Sequence, residues 1–182
     1  MAVSYRVIVL NGTSSSGKSS IARALRARLA EPWLTLGVDD LIAAMPEWMM
    51  QRVAGIAFEP DGRVVVGDEV ARLDRAWGEG VAAMARAGAP VIVDEALLSG
   101  GTGQARWRTV PAGIDTLWVG VHCDPAVLAE RARGDRTVGM AADQATLVHA
   151  GVSYDLEVDT GRMNPERCAD RIATYLGPLE RA

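Results

Sequence analysis

The stretch that decides the fold is Val7-Ile8-Val9-Leu10-Asn11-Gly12-Thr13-Ser14-Ser15-Ser16-Gly17-Lys18-Ser19-Ser20-Ile21. Its first part is a short, largely β-branched apolar run ending in Asn11-Gly12, the form of a strand buried on both faces. Residues 18–30 carry apolar side chains at helical spacing with arginines on the other side, which predicts an amphipathic helix. Between them, Gly12 to Ser19 fit G-x-x-x-x-G-K-[ST] without a mismatch. Small residues let such a loop wrap a phosphate, while its N–H groups and the helix N-terminus supply positive potential. The expected nucleotide contacts are therefore Gly12, Thr13, Ser14, Ser15, Ser16, Gly17, Lys18, Ser19 and Ser20. Lys18 is expected on the β- and γ-phosphates of ATP, and Ser19 on Mg2+. Of the 19 basic residues, Lys18 is the one lysine. The chain meets every other need for positive charge with arginine, so position 18 is one where a planar fork does not replace a compact ammonium.

The 182 residues are 49% hydrophobic and 23% charged, with a formal net charge of -4. That length suggests one domain, residues 1–182, and the composition is too apolar for a disordered chain. The acidic balance predicts neither a nucleic-acid partner nor an anionic membrane surface. The four apolar residues 7–10 are too few for a signal-peptide core, and no stretch is long enough to span a bilayer. Two cysteines, Cys123 and Cys168, imply no disulfide framework, which fits the cytoplasm. His122 and His149 do not stand at metal-ligand spacing.

Further along, strand and helix patterns alternate. Strands are expected over residues 33–38, 90–94, 115–122 and 154–158. Helices are expected from Asp39-Asp40 to Pro46 and over 68–87, 102–109, 125–133, 141–149 and 165–176. Residues 56–66 read as a hairpin around Pro60-Asp61-Gly62, an insertion of about 55–67. Leu98-Ser99-Gly100-Gly101 reads as a flexible loop. Alternation of this kind implies a parallel sheet covered by helices on both faces, with ligands beyond the C-terminal strand ends.

Those ends carry acids. Asp39-Asp40 follow the second strand, and Asp94-Glu95 follow the third. Phosphoryl transfer to a hydroxyl needs one carboxylate on the metal side and another to accept the hydroxyl proton. Val91-Ile92-Val93-Asp94 has the usual form of the metal-side acid, so Asp94 is expected beside Ser19 on Mg2+. Asp39 comes straight off its strand and is favoured as the base, with Asp40 as helix cap or first-turn charge. Arg131-Ala132-Arg133-Gly134-Asp135-Arg136 follow a helix and open a lid of about 133–141. Arg133 and Arg136 suit closure over the nucleotide and neutralisation of the transferring group, whereas Arg131 suits a solvated helix end.

Taken in order, VLNGTSSSGKSS, EPWLTLGVDDLIAAMP, WGEGVAAMARAGAPVIVDE, LWVGVHCDPAV, RARGDRTVGMA and GVSYDLEVDT resemble the chloramphenicol phosphotransferase family. The resemblance spans residues 9–160. It implies an α/β P-loop kinase fold: a five-stranded parallel sheet with helices on both faces, a small lid and a hairpin insertion. It also implies transfer of the γ-phosphate of ATP to the primary hydroxyl of chloramphenicol, after which the drug no longer fits its ribosomal target. The family's catalytic aspartate matches Asp39, and its lid arginines match Arg133 and Arg136. The region holding Trp48, Met49, Met50 and Phe58 is expected to give an apolar acceptor pocket that suits a nitrophenyl ring.

A GTPase needs a second lysine in its guanine motif, and the chain has none. In an ABC-type ATPase the Leu-Ser-Gly-Gly signature precedes the metal-side acid, and here it follows Asp94. A nucleoside monophosphate kinase or a shikimate-type kinase needs cations around an anionic acceptor, yet residues 39–60 contain only Arg52. A non-catalytic nucleotide sensor could dispense with the base, and Asp39, Asp94 and the two lid arginines together count against it. The lysine argument is tested by Lys18→Arg, which is expected to abolish turnover. Normal activity in that variant refutes it.

Overall fold

A computed structural model of the chain describes residues 5–51, 56–58, 64–110, 112–131 and 140–177. In chain order its elements are β1 (Val7–Asn11), α1 (Lys18–Arg26), β2 (Leu34–Gly37), α2 (Val38–Ala44), a 3-10 turn (Glu47–Gln51), β3 (Ile56–Phe58), β4 (Val64–Val66), α3 (Asp68–Arg86), β5 (Val91–Glu95), α4 (Gly100–Thr109), β6 (Thr116–His122), α5 (Pro125–Arg131), α6 (Met140–His149), β7 (Leu156–Asp159) and α7 (Pro165–Leu176). Five strands form one sheet in the order β2-β5-β1-β6-β7, with every neighbouring pair parallel. The second sheet is the antiparallel pair β3-β4, with Ile56 opposite Val66 and Phe58 opposite Val64.

The central strand shows why its sequence is continuously apolar. All five residues of β1 are buried, because both faces of the sheet are covered. Ile8 and Leu10 join Ile92, Leu117, Val119 and Val121 in one cluster, closed by Ile21, Ala22 and Leu25 of α1 and Cys168, Ala169 and Ile172 of α7. Val7 and Val9 point the other way, with Val91, Val93 and Trp118, onto Val81 and Ala85 of α3 and Trp107 of α4. A large aliphatic side chain such as Leu25 or Ile172 contributes about 1.5–3 kcal/mol by this burial. A third cluster, Leu41, Met45, Met49 and Val70, holds α2 and the 3-10 turn against the first half of α3, with Leu73 and Trp77 packed on it.

Helix ends follow their sequence signals. Asn164 caps α7 by accepting a hydrogen bond from the Arg167 N–H at 2.9 Å, and Pro165 fills the first turn.

One expectation is corrected. Gly100 and Gly101 are not a flexible loop but the first residues of α4. A Cβ on Gly100 would lie 2.2 Å from the Ala150 carbonyl, and one on Gly101 2.4 Å from the Gly151 carbonyl. The Gly101 N–H donates to the Ala150 carbonyl at 2.8 Å. The glycine pair therefore serves close packing of α4 on the end of α6. The lid of about 133–141 lies mostly outside the described residues; Met140 and Ala141 belong to α6.

Candidate active site

The loop between β1 and α1 is shaped by two backbone demands. A side chain at Gly12 would place its Cβ 2.5 Å from the Val121 carbonyl, so only glycine lets the loop leave β1 against β6. Gly17, at φ 92°, turns the chain into α1 from the left-handed region. The first residue of that helix is Lys18. Its ammonium donates to the Thr13 carbonyl at 3.0 Å and lies 3.6 Å from Asp94 Oδ1. Ser19 Oγ donates to Asp94 Oδ2 at 2.6 Å. Lysine, serine and aspartate thus meet at the C-terminal edge of the sheet. A hydroxyl and a carboxylate side by side form an oxygen donor set that fits Mg2+.

Register places the other acids on the same edge. Leu10 and Gly37 both stand opposite Asp94, and Asn11 stands opposite Glu95. The two aspartates after β2 differ in what they do. Asp40 Oδ2 accepts from the Gly37 N–H at 2.8 Å and so caps α2. Asp39, beside it in the first turn, is exposed. Glu95 is only 4% exposed and points to the α3 face, away from Asp94.

Several residues that hold the loop carry no motif. Thr160, after β7, donates its hydroxyl to the Ser16 carbonyl at 2.7 Å. The Arg131 guanidinium donates to Thr160 Oγ1 at 3.1 Å and to the Thr160 carbonyl at 2.8 Å. Arg131, expected as a solvated helix end, is therefore tied through Thr160 to the phosphate loop, although the residue as a whole is exposed.

Asn11 does the same on the other side. Its side chain accepts from the Leu97 N–H at 2.9 Å and donates to the Val148 carbonyl at 2.7 Å and to Tyr154 Oη at 2.6 Å. The Tyr154 hydroxyl in turn donates to His149 Nδ1 at 2.6 Å, and His149 stacks on His122 with ring centres 4.1 Å apart. Burial, then the neighbouring His122, lowers His149 to about 4, so it is neutral at physiological pH and can accept that bond. His122 is paired with Glu157 at 2.6 Å. No metal-binding cluster of His, Cys, Asp and Glu occurs among the described residues.

With this geometry in place, the comparisons decide the family. A model described as "Chloramphenicol phosphotransferase-like protein" matches residues 5–177. The chain belongs to this family. Among its relatives, a Mycobacterium tuberculosis protein named "Putative O-phosphotransferase" is 30% identical over 85% of this chain and 75% of its own length. In fold the chain resembles a sugar kinase from Janibacter sp. (TM-score 0.70, 21% identity, 94% of each chain) and the APS kinase of M. tuberculosis (TM-score 0.61, 17% identity, 96% of this chain and 98% of that one). The chloramphenicol phosphotransferase-like chain is thus a P-loop small-molecule kinase. No helix among its described residues is long and apolar enough to cross a membrane.

The expected acceptor pocket is only partly visible. Met49 is buried in the cluster with α3, whereas Trp48 is 47% exposed. The side chains of Met50 and Phe58, like Arg133 and Arg136, lie outside the described residues. What pattern reading missed is the anchoring by Thr160, Arg131, Asn11 and Tyr154, whose bonds join the loop and the end of β1 to segments far along the chain. Thr160→Val removes the hydroxyl between Ser16 and Arg131. Losing a hydrogen bond to a buried carbonyl costs about 1–3 kcal/mol, so the Kd for ATP is expected to rise roughly tenfold. Equilibrium nucleotide titration checks this, and an unchanged Kd removes Thr160 from the role of anchor.

Proposed function

We propose that this kinase moves the γ-phosphate of ATP to the primary hydroxyl of chloramphenicol, inactivating the drug. The observation that supports this best is the division of labour between two adjacent aspartates. Asp40 caps α2, and exposed Asp39 is left beside it on the edge that carries the phosphate loop. Asp39 is the general base: it accepts the proton of the attacking hydroxyl as the new P–O bond forms and the bond to the ADP oxygen breaks. Lys18 follows the charge on the β- and γ-phosphates. Ser19 and Asp94 hold Mg2+, which when bound neutralises charge on those phosphates. Arg133 and Arg136, outside the described residues, are the cations proposed to close over the nucleotide; Arg136 neutralises the transferring group and Arg133 binds the nucleotide.

The charge pattern supports an uncharged acceptor. Residues 39–60 hold Asp39, Asp40, Glu47 and Glu59 against Arg52 alone, a poor setting for a phosphorylated or carboxylated substrate. The family to which the chain belongs supports chloramphenicol in particular. Another small neutral hydroxyl compound fits the same charge pattern, and a nucleotide sensor without turnover is the opposite reading. An ATP-dependent reaction of this kind belongs in the cytoplasm.

The test is ADP release from ATP and Mg2+ with and without chloramphenicol, in the native enzyme and in Asp39→Ala. Strong stimulation by the drug is expected. The variant should still bind ATP but turn over ~100-fold more slowly, the usual scale for loss of a general base. Full turnover by Asp39→Ala removes Asp39 from the role, and nucleotide binding without stimulation by any hydroxyl compound supports the sensor.

A further inference from the structure

Asn11, the last residue of β1, is fully buried, and the partners of its side-chain amide fix how it lies. The Leu97 N–H can only donate and the Val148 carbonyl can only accept, so Oδ1 faces Leu97 and Nδ2 faces Val148. The second Nδ2 proton goes to Tyr154 Oη at 2.6 Å. The tyrosine oxygen is thus an acceptor towards Asn11, and its own proton goes to His149 Nδ1 at 2.6 Å. Burial pushes the Tyr154 hydroxyl up to about 12, with Asn11 acting against this and Glu157 adding to it, so the hydroxyl keeps that proton. The chain of bonds closes in one sense only, with Nδ1 of His149 bare and the ring proton on Nε2.

The sheet is shaped to hold this chain. A Cβ on Gly120 of β6 would lie 2.9 Å from two atoms of the Tyr154 ring and 3.1 Å from His122 Nε2, so the missing side chain makes room for the tyrosine. His122, two residues on, stacks on His149 and turns its Nε2 to Glu157 of β7. Besides burial, the groups acting on His149 are His122, which disfavours its charge, Glu157, which favours it, and Lys18 of α1, which disfavours it. The cations of α4 are turned elsewhere, Arg106 to Ser99 and Arg108 over Trp118. On α5, Arg131 is turned to Thr160 and Glu130 is exposed.

We propose that Tyr154 and His149 are positioning residues of the phosphate loop: His149 Nδ1 holds the Tyr154 hydroxyl, the hydroxyl holds the Asn11 amide, and the amide sets the turn from β1 into Gly12 that receives the nucleotide phosphates. Asn11 also fixes Leu97, just beyond Asp94, so both sides of the phosphate site depend on this one amide. The inference concerns the nucleotide and holds whichever hydroxyl compound is the acceptor. It carries a proton linkage. A proton on Nδ1 turns that atom into a donor, sets two donors on the Tyr154 oxygen and leaves the hydroxyl proton without its acceptor. Nucleotide binding and protonation of His149 therefore oppose each other, and each must shift the other by the same factor.

The experiment measures the Kd for ADP with Mg2+, without any acceptor, in the native chain and in Tyr154→Phe, His149→Phe and His149→Asn at pH 7. Tyr154→Phe removes the hydroxyl, and His149→Phe keeps a ring on His122 but has no acceptor. Both are expected to raise Kd by about fivefold or more, the usual range of coupling between sites. In His149→Asn the side-chain oxygen stands where Nδ1 stood, so Kd stays within about twofold of native. A loss caused by packing alone gives the opposite order, because Phe fills the space of the ring better than Asn.

NMR titration of the His149 ring, with and without ADP and Mg2+, gives the second readout. The free chain should show a bare Nδ1 at pH 7 and a protonation midpoint well below the 6.5 of an ordinary histidine, near 4. Bound ADP is expected to lower the midpoint further, by about one pH unit for every tenfold by which the proton weakens ADP. An ADP Kd unmoved by Tyr154→Phe, a Kd for His149→Asn as weak as for His149→Phe, or a midpoint indifferent to ADP overturns the inference. Failure of chloramphenicol to be phosphorylated does not touch it, whereas a native chain that binds no ADP contradicts the phosphate-loop reading and this inference together.

Discussion

Everything at this site depends on how tightly the phosphate loop is seated between β1 and β6. At Gly12 the backbone runs so close to the Val121 carbonyl that a methyl group could not be accommodated. From there the loop is tied down on both sides. Asn11 binds it to the start of the β5–α4 connection and to the end of α6, and Thr160 binds Ser16 to Arg131. The same residue, Lys18, begins α1 and carries the ammonium that meets Asp94. A phosphate site built from main-chain N–H groups is only as precise as the backbone that presents them, which is why the anchors matter as much as the motif.

The two faces of the sheet then divide the work. On the α1 and α7 face, Lys18, Ser19 and Asp94 converge on the nucleotide side. On the α3 face, the next residue of the same strand, Glu95, is buried against α3 and its Asp74. Successive side chains of one strand point to opposite faces, so two neighbouring acids face two environments. That alternation puts the acid that meets Lys18 and Ser19 next to one buried on the α3 side.

Much of the fold was legible because its signals are local and periodic. The β1 run, the G-x-x-x-x-G-K-S loop and the amphipathic α1 stand next to one another, and the alternating strands and helices fall close to where their patterns put them. The Gly100-Gly101 pair was misread because glycine marks both a loop and a close helix approach, and only the partner, Ala150 to Gly151, distinguishes them. At the site, the loop and the edge acids follow from spacing. The roles of Thr160, Arg131, Asn11 and Tyr154 do not, since each is set by a neighbour between about 30 and 150 residues away. Arg131 shows the limit well: at a helix end an arginine complements the dipole in any protein, and nothing in its own segment points to Thr160.

The most direct test of the account as a whole is the mass spectrum of chloramphenicol after incubation with the enzyme, ATP and Mg2+. The account predicts a drug heavier by one phosphoryl group, with fragmentation placing it on the primary hydroxyl and ADP formed in equal amount. Unmodified drug alongside ADP released at the background rate would contradict it.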